Sequence, residues 1–425
     1  MPAPSSLIDL TDLVCWNSLI LSQWHNSRPS NSPRQWINAR SKDAQYVLGG
    51  SASPSLSIDK LISLSNDPAK TEDALQFRSL DLHLGSPQGS LNLRSTIAGL
   101  YEERKGEKIL PEHVITAIGT TGANLTVFQS FLHPGDHVVC AYPIYSQLLE
   151  FPRVLKCEVS LWKLDPENQW KLDLEELRRL IRPSTKMIIL NNPNNPTGSH
   201  MDAQMQGQIL DIARGKDIIV FTDEIFRPLF YHDGEVPPSF VEHEYSKVIV
   251  TGSMSKVWGM SGVRIGWIVC KDRVLLDVLL NAREYTLQAT SSIDEVIAAE
   301  DLSDRCRPII LKRHRGYGKE NVQLLDAFIK KNSDVCSWTK PTCGGTGFIK
   351  FHSEDGSPQQ ELEFCQTLLK ETGVLLSPGG LCFSAAGCTD FQGYVRIHLT
   401  ALPDNMQKAL ALLDEFVDAR RRISS

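Results

Sequence analysis

The sequence predicts an α/β protein: a mostly parallel sheet flanked by helices, with a smaller α+β domain after it. Short apolar runs of strand length alternate with helical segments between about residues 91 and 270, as in sheets covered by helices on both faces. After about residue 310 the pattern changes to a long helix, strands with Gly-rich turns and a closing amphipathic helix. We therefore expect an N-terminal arm that also contributes to the small domain (residues 1–75), a large domain (76–310) and a small C-terminal domain (311–425).

Hydrophobic periodicity places the individual elements. In the arm, which is rich in Ser, Asn and Pro, it indicates helices near residues 10–25 and 58–64. In the large domain it predicts strands at residues 114–117, 137–141, 186–190, 218–222, 247–251 and 264–270, and helices at residues 91–103, 122–132, 172–181 and 202–213. In the small domain it predicts helices at residues 311–331 and 404–419, and strands at residues 346–351 and 394–399.

Composition and charge narrow the classes of function. The 425 residues are 41% hydrophobic and 22% charged, as in ordinary globular proteins, and the net charge of −6 argues against nucleic-acid binding. No apolar run of about 18 residues occurs and the N-terminus lacks a basic start, so neither a membrane span nor a secretion signal is expected. The ten Cys residues lack metal-ligand spacing, and we expect free thiols, no metal site and a cytoplasmic protein.

The most informative motif is Thr251-Gly-Ser-Met-Ser-Lys256, which follows an apolar strand and precedes Arg264. The Lys256 amine can form a Schiff base with an aldehyde, whereas Ser253, Ser255 and Arg264 can hold a phosphate. Pyridoxal phosphate is the cofactor that carries both groups. Because a Ser-X-Ser-Lys string alone is more often a polar loop, the interpretation depends on the other motifs.

Four further polar clusters also follow directly after predicted strands. They are residues 120–124, Tyr142, residues 191–198 and Asp223. Ligands bind at the carboxyl ends of the strands in parallel sheets. Five clusters at five strand ends therefore indicate one shared site.

Several of these residues also have a purely structural interpretation. Gly122, Ala123 and Asn124 open a helix whose N-terminus can bind phosphate, although small residues commonly begin helices. Asp223 at the end of a buried strand needs a cation, such as a protonated pyridine nitrogen, unless it is a helix N-cap. Tyr142 can stack on a flat ring or serve only as a packing residue.

Asn195 and Arg396 complete the candidate site. The loop at residues 192–197 contains two X-Pro steps, which stiffen it and can hold the Asn195 amide beside a ring. Arg396 lies in a predicted strand, where alternation places it on one face with Tyr394 and His398. Its guanidinium suits a two-pronged contact with a carboxylate, and the alternative is an exposed Arg on an edge strand.

Taken in order, Asn192-Pro-Asn-Asn-Pro-Thr-Gly198, Asp223-Glu-Ile-Phe226, the Lys256 motif with Arg264-Ile-Gly-Trp267, and Val395-Arg-Ile397 resemble the class I/II aminotransferases over residues 80–400. The resemblance implies a fold-type I pyridoxal-phosphate enzyme with a seven-stranded sheet, which is usually a homodimer with its sites at the interface. It implies transfer of an amino group from an L-amino acid to a 2-oxo acid. Neither nucleic acid nor membrane is an expected partner.

The resemblance also assigns a role to each candidate residue. Lys256 would bind the cofactor aldehyde and shuttle protons, Asp223 would meet the pyridine nitrogen, and Asn195 the ring hydroxyl oxygen. Tyr142 would stack on the ring, and Arg396 would bind the substrate α-carboxylate. The phosphate would be held by Gly122, Ala123, Asn124, Ser253, Ser255 and Arg264.

Two positions depart from the family pattern. Phe226 stands where the family usually has a Tyr that donates to the ring oxygen. Leu84, beside His83, stands where a Tyr often contacts the phosphate of the neighbouring subunit.

Residues 122–198 also resemble capreomycidine-synthase-like enzymes, so the alternative is a lyase, cyclase or oxidase of specialised metabolism that uses the same cofactor. A ligand-sensing regulator is disfavoured, because the roughly 75 residues before the matching region lack a basic DNA-binding patch.

The sequence does not identify the substrate side chain. Candidate contacts are Gly50, Ser51, Trp258 and Tyr285. No second Arg stands out as the partner of a dicarboxylate, which disfavours an aspartate-type substrate.

Overall fold

The structure is a computed structural model of the chain and describes residues 32–102, 108–232, 234–353, 355–386 and 388–424. The helix predicted near residues 10–25 lies outside these residues. The described α-helices are α1 (Pro33–Arg40), α2 (Ile58–Leu64), α3 (Pro68–Ala74), α4 (Leu91–Ala98), α5 (Gly119–Phe131), α6 (Ser146–Val154), α7 (Leu174–Leu180), α8 (Ala203–Arg214), α9 (Arg273–Glu284), α10 (Ser292–Asp301), α11 (Arg307–Lys331), α12 (Glu361–Thr372), α13 (Gly379–Phe383) and α14 (Pro403–Ser424).

The strands lie between these helices. They are β1 (Tyr46–Val47), β2 (Val114–Ile118), β3 (His137–Tyr142), β4 (Glu158–Lys163), β5 (Thr185–Asn191), β6 (Ile219–Asp223), β7 (Val248–Ser253), β8 (Ile265–Val269), β9 (Cys336–Trp338), β10 (Thr346–Phe351), β11 (Val374–Leu375), β12 (Ser377–Pro378) and β13 (Tyr394–His398). The helix at residues 58–64 and the strand at residues 346–351 have the predicted bounds.

Seven strands form the central sheet in the order β2-β8-β7-β6-β5-β3-β4. Neighbouring strands from β7 to β4 are parallel, whereas β8 is antiparallel to both β2 and β7. Strand β3 is buried at every residue, which explains its continuous run of apolar side chains. The predicted fold class is therefore confirmed, and the carboxyl ends of β3, β5, β6 and β7 lie at one edge.

The C-terminal part of the chain forms a four-stranded antiparallel sheet in the order β12-β13-β10-β9. Helix α12 packs against strands β11 and β12, and α14 packs against α11 and α12. Strand β1 from the N-terminal part pairs in parallel with β11. Trp36 of α1 donates through its Nε1 to the Leu376 carbonyl at 2.8 Å. Trp36 and β1 thus contact the C-terminal part of the chain, and the division into an arm and two domains stays a prediction.

Some elements differ from the sequence prediction. Helix α4 ends at Ala98 rather than at residue 103, since Gly99 follows as its C-cap. Helix α5 begins at Gly119, directly after β2 and three residues earlier than predicted. Strand β4 and helices α6, α9, α10 and α12 were not predicted. In the described part of the chain, no helix combines the length and apolar character needed to cross a membrane.

Candidate active site

Lys256 lies in the turn that follows β7, at the centre of the strand-end cluster. Its Nζ donates to the Ser51 Oγ at 2.9 Å. Burial lowers the pKa of the Lys256 amine to about 8, with the Arg396 charge as the next cause, while the Asp223 charge acts in the opposite direction. An amine with this pKa is readily deprotonated near neutral pH, which a nucleophile for an aldehyde requires.

Asp223 ends strand β6 and is 2% exposed. Its Oδ2 accepts from Asn124 Nδ2 at 3.1 Å, and its Oδ1 accepts from the Ile225 N–H at 3.0 Å. Burial raises the pKa of this carboxyl to about 6, although both hydrogen bonds lower it. A buried carboxyl whose ionised form is disfavoured in this way would gain from a ligand cation placed beside it.

Asn124 is oriented by a second contact, because its Oδ1 accepts from Thr251 Oγ1 at 2.8 Å. The amide group therefore lies between Thr251 and Asp223, where it supports the carboxylate. The phosphate contact expected of Asn124 was one through the main-chain N–H groups at the start of a helix, and it stays a prediction.

Arg264 lies against the N-terminus of α5, and the two together are here called the cradle. Arg264 adopts a left-handed backbone conformation (φ 56°), and its carbonyl accepts from the Gly119 N–H at 2.7 Å. A Cβ added to Gly119 would lie 2.4 Å from Arg264 Nη2, so the guanidinium lies directly against this helix end. Thr120 Oγ1 is buried there with no hydrogen-bond partner, and helix N-termini bind anions.

The serines of the lysine loop lie on the same side as this cradle. Arg264 Nη1 donates to the Ser255 Oγ at 3.4 Å and to the Ser261 carbonyl at 2.9 Å. The Ser253 Oγ accepts from the Ser255 N–H at 3.1 Å, which fixes the turn. Gly122 and Ala123 are the fourth and fifth residues of α5, directly after the residues whose N–H groups have no partner within the helix.

Arg396 is 3% exposed on β13. Its Nη1 donates to the Asn195 Oδ1 at 3.1 Å and its Nη2 donates to the Gly49 carbonyl, whereas its Nε is buried without a partner. Burial lowers the pKa of this guanidinium to about 10. The contact with Asn195 brings two predicted residues together, and the alternative of an exposed edge-strand Arg is wrong.

The Tyr142 hydroxyl makes its hydrogen bonds with residues 385 and 390 of the C-terminal part. It donates to Asp390 Oδ2 at 2.9 Å and accepts from the Ala385 N–H at 2.8 Å, so the ring lies against the C-terminal part of the chain. Tyr145 lies closer to the site, because the charges of Asp223 and Arg396 both affect its pKa, which burial raises. Both tyrosines stand in one four-residue run, in which β3 ends at Tyr142 and α6 begins directly after Tyr145.

Phe226 is buried near the main chain of Gly345. A Cβ added to Gly345 would lie 2.6 Å from Phe226 Cε1 and 2.8 Å from the Ser51 carbonyl, so this ring packs next to Ser51. Leu84 is 70% exposed. Of the residues expected to contact the substrate side chain, Tyr285 is 93% exposed and Trp258 is 1% exposed.

Two further basic side chains, Arg34 and His398, lie near the site, and only Arg34 among them is charged at neutral pH. The charge of the exposed Arg34, on α1, lowers the pKa of both Lys256 and Tyr145. Arg34 is thus a third guanidinium near the lysine, in addition to Arg396 and Arg264. His398 on β13 is kept neutral, because burial lowers its pKa to about 3 and the Lys256 charge adds to this effect.

These residues fit pyridoxal phosphate. The cradle with Arg264 and the unpartnered Thr120 hydroxyl matches a phosphate, the buried Asp223 matches a pyridine nitrogen, and Lys256 matches the aldehyde.

The chain matches the family model for aminotransferase class I and II over residues 65–413. It is similar to the aspartate aminotransferase of Pyrococcus horikoshii, with 25% identity over 348 residues, 81% of this chain and 86% of that protein. It is also similar to the capreomycidine synthase of Streptomyces vinaceus, with 25% identity over 399 residues, 93% of this chain and 95% of that protein. A solved PLP-dependent aminotransferase from Streptococcus suis has 34% identity and a TM-score of 0.82, covering 92% of this chain and 98% of that one. The chain therefore belongs to the class I and II aminotransferases and is a pyridoxal-phosphate-dependent enzyme.

Proposed function

We propose that Lys256, Asp223, Asn195 and Arg396 form the active site of an aminotransferase that moves the amino group of an L-amino acid to a 2-oxo acid. The observation that carries this proposal is that a partly buried amine of lowered pKa lies within the fields of both Asp223 and Arg396. When bound, pyridoxal phosphate supplies an aldehyde and an electron-accepting ring. This chain's own residues must hold that ring, hold the substrate and move one proton.

The residues divide this work by their chemistry. Asp223 would hold a proton at the ring nitrogen, and Asn195 would donate to the ring oxygen through its amide nitrogen, since its Oδ1 faces Arg396. Arg264, Ser253, Ser255 and the first N–H groups of α5 would hold the phosphate. In place of Tyr142, we assign the stacking position to Tyr145.

Arg396 would bind the substrate α-carboxylate, and Lys256 would move the α-proton. An amine with a pKa of about 8 both accepts and releases a proton near neutral pH, which is the property that a general base and acid in one residue needs. The guanidinium contacts to Asn195 and Gly49 hold Arg396 in place before the carboxylate arrives.

The proposal is tested by mixing the holoenzyme with single L-amino acids in the absence of a 2-oxo acid. Transamination releases about one equivalent of 2-oxo acid per active site and then stops until a second 2-oxo acid is added. Lys256→Ala should reduce the rate of this release by at least about a hundredfold, since a general acid–base is lost. Turnover by Lys256→Ala at the wild-type rate would contradict the assignment of Lys256.

A second candidate is a lyase, cyclase or oxidase that uses the same cofactor. Two observations favour it: the similarity to a capreomycidine synthase extends over 93% of this chain, and the buried Phe226 lies beside Ser51, where the family has a Tyr. Catalytic release of ammonia, or uptake of oxygen, from a single amino acid would support this candidate instead.

We also propose that the enzyme is a homodimer. Leu82, Leu84, Leu91 and Tyr285 are 63–93% exposed, and a solvent-exposed group of large apolar side chains is typical of an interface. The position of a Cβ on Gly85 lies 3.8 Å from Ala289 Cβ, so the segment with Leu82 and Leu84 runs beside the one that follows Tyr285.

A further inference from the structure

Residues 48–56, here called the crossing segment, connect the C-terminal sheet with the lysine loop. At one end the Leu48 N–H donates to the Leu375 carbonyl at 2.9 Å, and the Leu48 carbonyl accepts from the His398 N–H at 2.8 Å. At the other end the Ser53 N–H donates to the Lys256 carbonyl at 2.9 Å, and the Leu56 N–H donates to the Gly259 carbonyl at 3.0 Å. The segment is therefore held at both ends by main-chain hydrogen bonds.

The middle of the crossing segment accepts hydrogen bonds from Arg396 and from Lys256. The Gly49 carbonyl accepts from Arg396 Nη2 and from the Ser377 Oγ, the latter at 3.0 Å. Two residues later, the Ser51 Oγ accepts from Lys256 Nζ at 2.9 Å. Ser51 is 8% exposed, so little water competes for this contact. Among the described residues, Ser51 is the only hydrogen-bond acceptor that the Lys256 amine has.

We infer that Ser51 is a positioning residue for Lys256, which it orients through its hydroxyl oxygen. The inference rests on the proposed function only in that Lys256 is the residue whose nitrogen reacts. A hydroxyl oxygen accepts more strongly from a protonated nitrogen than from a neutral one. Ser51 therefore opposes the effect of burial and keeps the proton on Lys256 at a higher pH than the site would otherwise allow.

The other charged groups that affect Lys256 come from different elements. Arg396 on β13, Arg34 on α1 and Arg264 before β8 lower its pKa, and Asp223 at the end of β6 raises it, whereas His398 is neutral. None of these side chains makes a hydrogen bond to Lys256 Nζ among the described residues. A substitution of Ser51 therefore removes the hydrogen bond to Lys256 and leaves these long-range charge effects in place.

Ser51→Ala removes the hydroxyl and should change the holoenzyme in two measurable ways. The pH at which the visible absorption of the holoenzyme reports protonation of the Lys256 nitrogen should fall by about one unit, the size expected for one hydrogen bond to a charged group. The kcat should fall about tenfold at the pH optimum, with a smaller change in the KM for the amino acid. Ser51→Thr keeps a hydroxyl and should restore most of both values.

Ser53→Ala is the matched control. Ser53 lies in the same segment, is 3% exposed, and its Oγ is buried without a partner, while its main-chain N–H is kept in the variant. Ser53→Ala should leave the absorption pKa and kcat near the wild-type values. Equal shifts in both variants, or no shift in Ser51→Ala at an unchanged melting temperature, would overturn the inference. A failure of the proposed function is distinguishable, because continuous release of free ammonia, rather than one equivalent of 2-oxo acid without ammonia, would contradict transamination and leave the absorption titration of Ser51→Ala valid.

Discussion

At the scale of single residues, the site contains buried charge of both signs. Burial raises the pKa of Asp223 to about 6 and lowers the pKa of Arg396 to about 10, so in both groups the ionised form is disfavoured. Each group lies where a ligand of opposite charge would offset this cost: a ring cation at Asp223 and a carboxylate at Arg396. Burial of these two charges therefore costs stability in the chain without a ligand, as the proposed roles of both residues require.

Asp223→Asn should stabilise the cofactor-free protein above about pH 4, and it should have no such effect at lower pH. Because the pKa of Asp223 lies near 6 in the folded chain and at 3.8 ordinarily, its ionisation opposes folding above pH 6 and has no effect below about pH 4. The gain in the free energy of unfolding should grow between pH 4 and pH 6 to an upper limit of about 3 kcal/mol and then stay constant. Urea unfolding of the variant and the wild type at a series of pH values measures this difference in the free energy of unfolding. A difference that does not change with pH would contradict ionisation of Asp223 as its cause.

At the scale of elements, the cradle depends on how closely β2, β8 and α5 approach. A Cβ on Gly266 in β8 would lie 2.4 Å from the main chain of Gly119, so the strand and the helix start can meet only without a side chain there. Gly119 itself has φ +61°, a conformation that other residues adopt at a cost. These glycines hold the Arg264 guanidinium against the helix N-terminus.

Gly119→Ala should weaken cofactor binding more than it weakens the fold. The new methyl group would displace the Arg264 guanidinium, and the left-handed backbone would cost about 1–2 kcal/mol. We expect about tenfold weaker retention of pyridoxal phosphate during dialysis, which corresponds to about 1.4 kcal/mol. Gly122→Ala, one turn along, is the matched comparison, since its Cβ would meet only Ile118 Cβ at 3.5 Å and its N–H is kept. Equal retention by both variants would contradict this role of Gly119.

At the scale of the whole molecule, the site joins parts of the chain that are far apart in sequence. The parallel sheet and the strand-end residues Asp223 and Lys256 were predictable, because buried strands and the polar residues after them are local patterns. The contact between Ser51 and Lys256 was not, since it spans 205 residues and depends on the path of the crossing segment. The proximity of Tyr145 to Asp223 was not predictable either, because it depends on where β3 ends and α6 begins.

The proposed dimer gives the last prediction at this scale. Leu84 and Tyr285 are 70% and 93% exposed and lie on neighbouring segments, so burying them against a second copy would remove apolar surface from water. Wild-type protein should sediment as a dimer, and Leu84→Asp combined with Tyr285→Asp should shift it to monomer, because two buried unpaired charges would outweigh the remaining contacts. Leu362→Asp, on α12 and 37% exposed, is the control and should leave the dimer intact.

If the neighbouring subunit completes the phosphate site, the monomeric variant should also lose pyridoxal phosphate on dialysis. A double variant that still sediments as a dimer would place the interface elsewhere on the molecule.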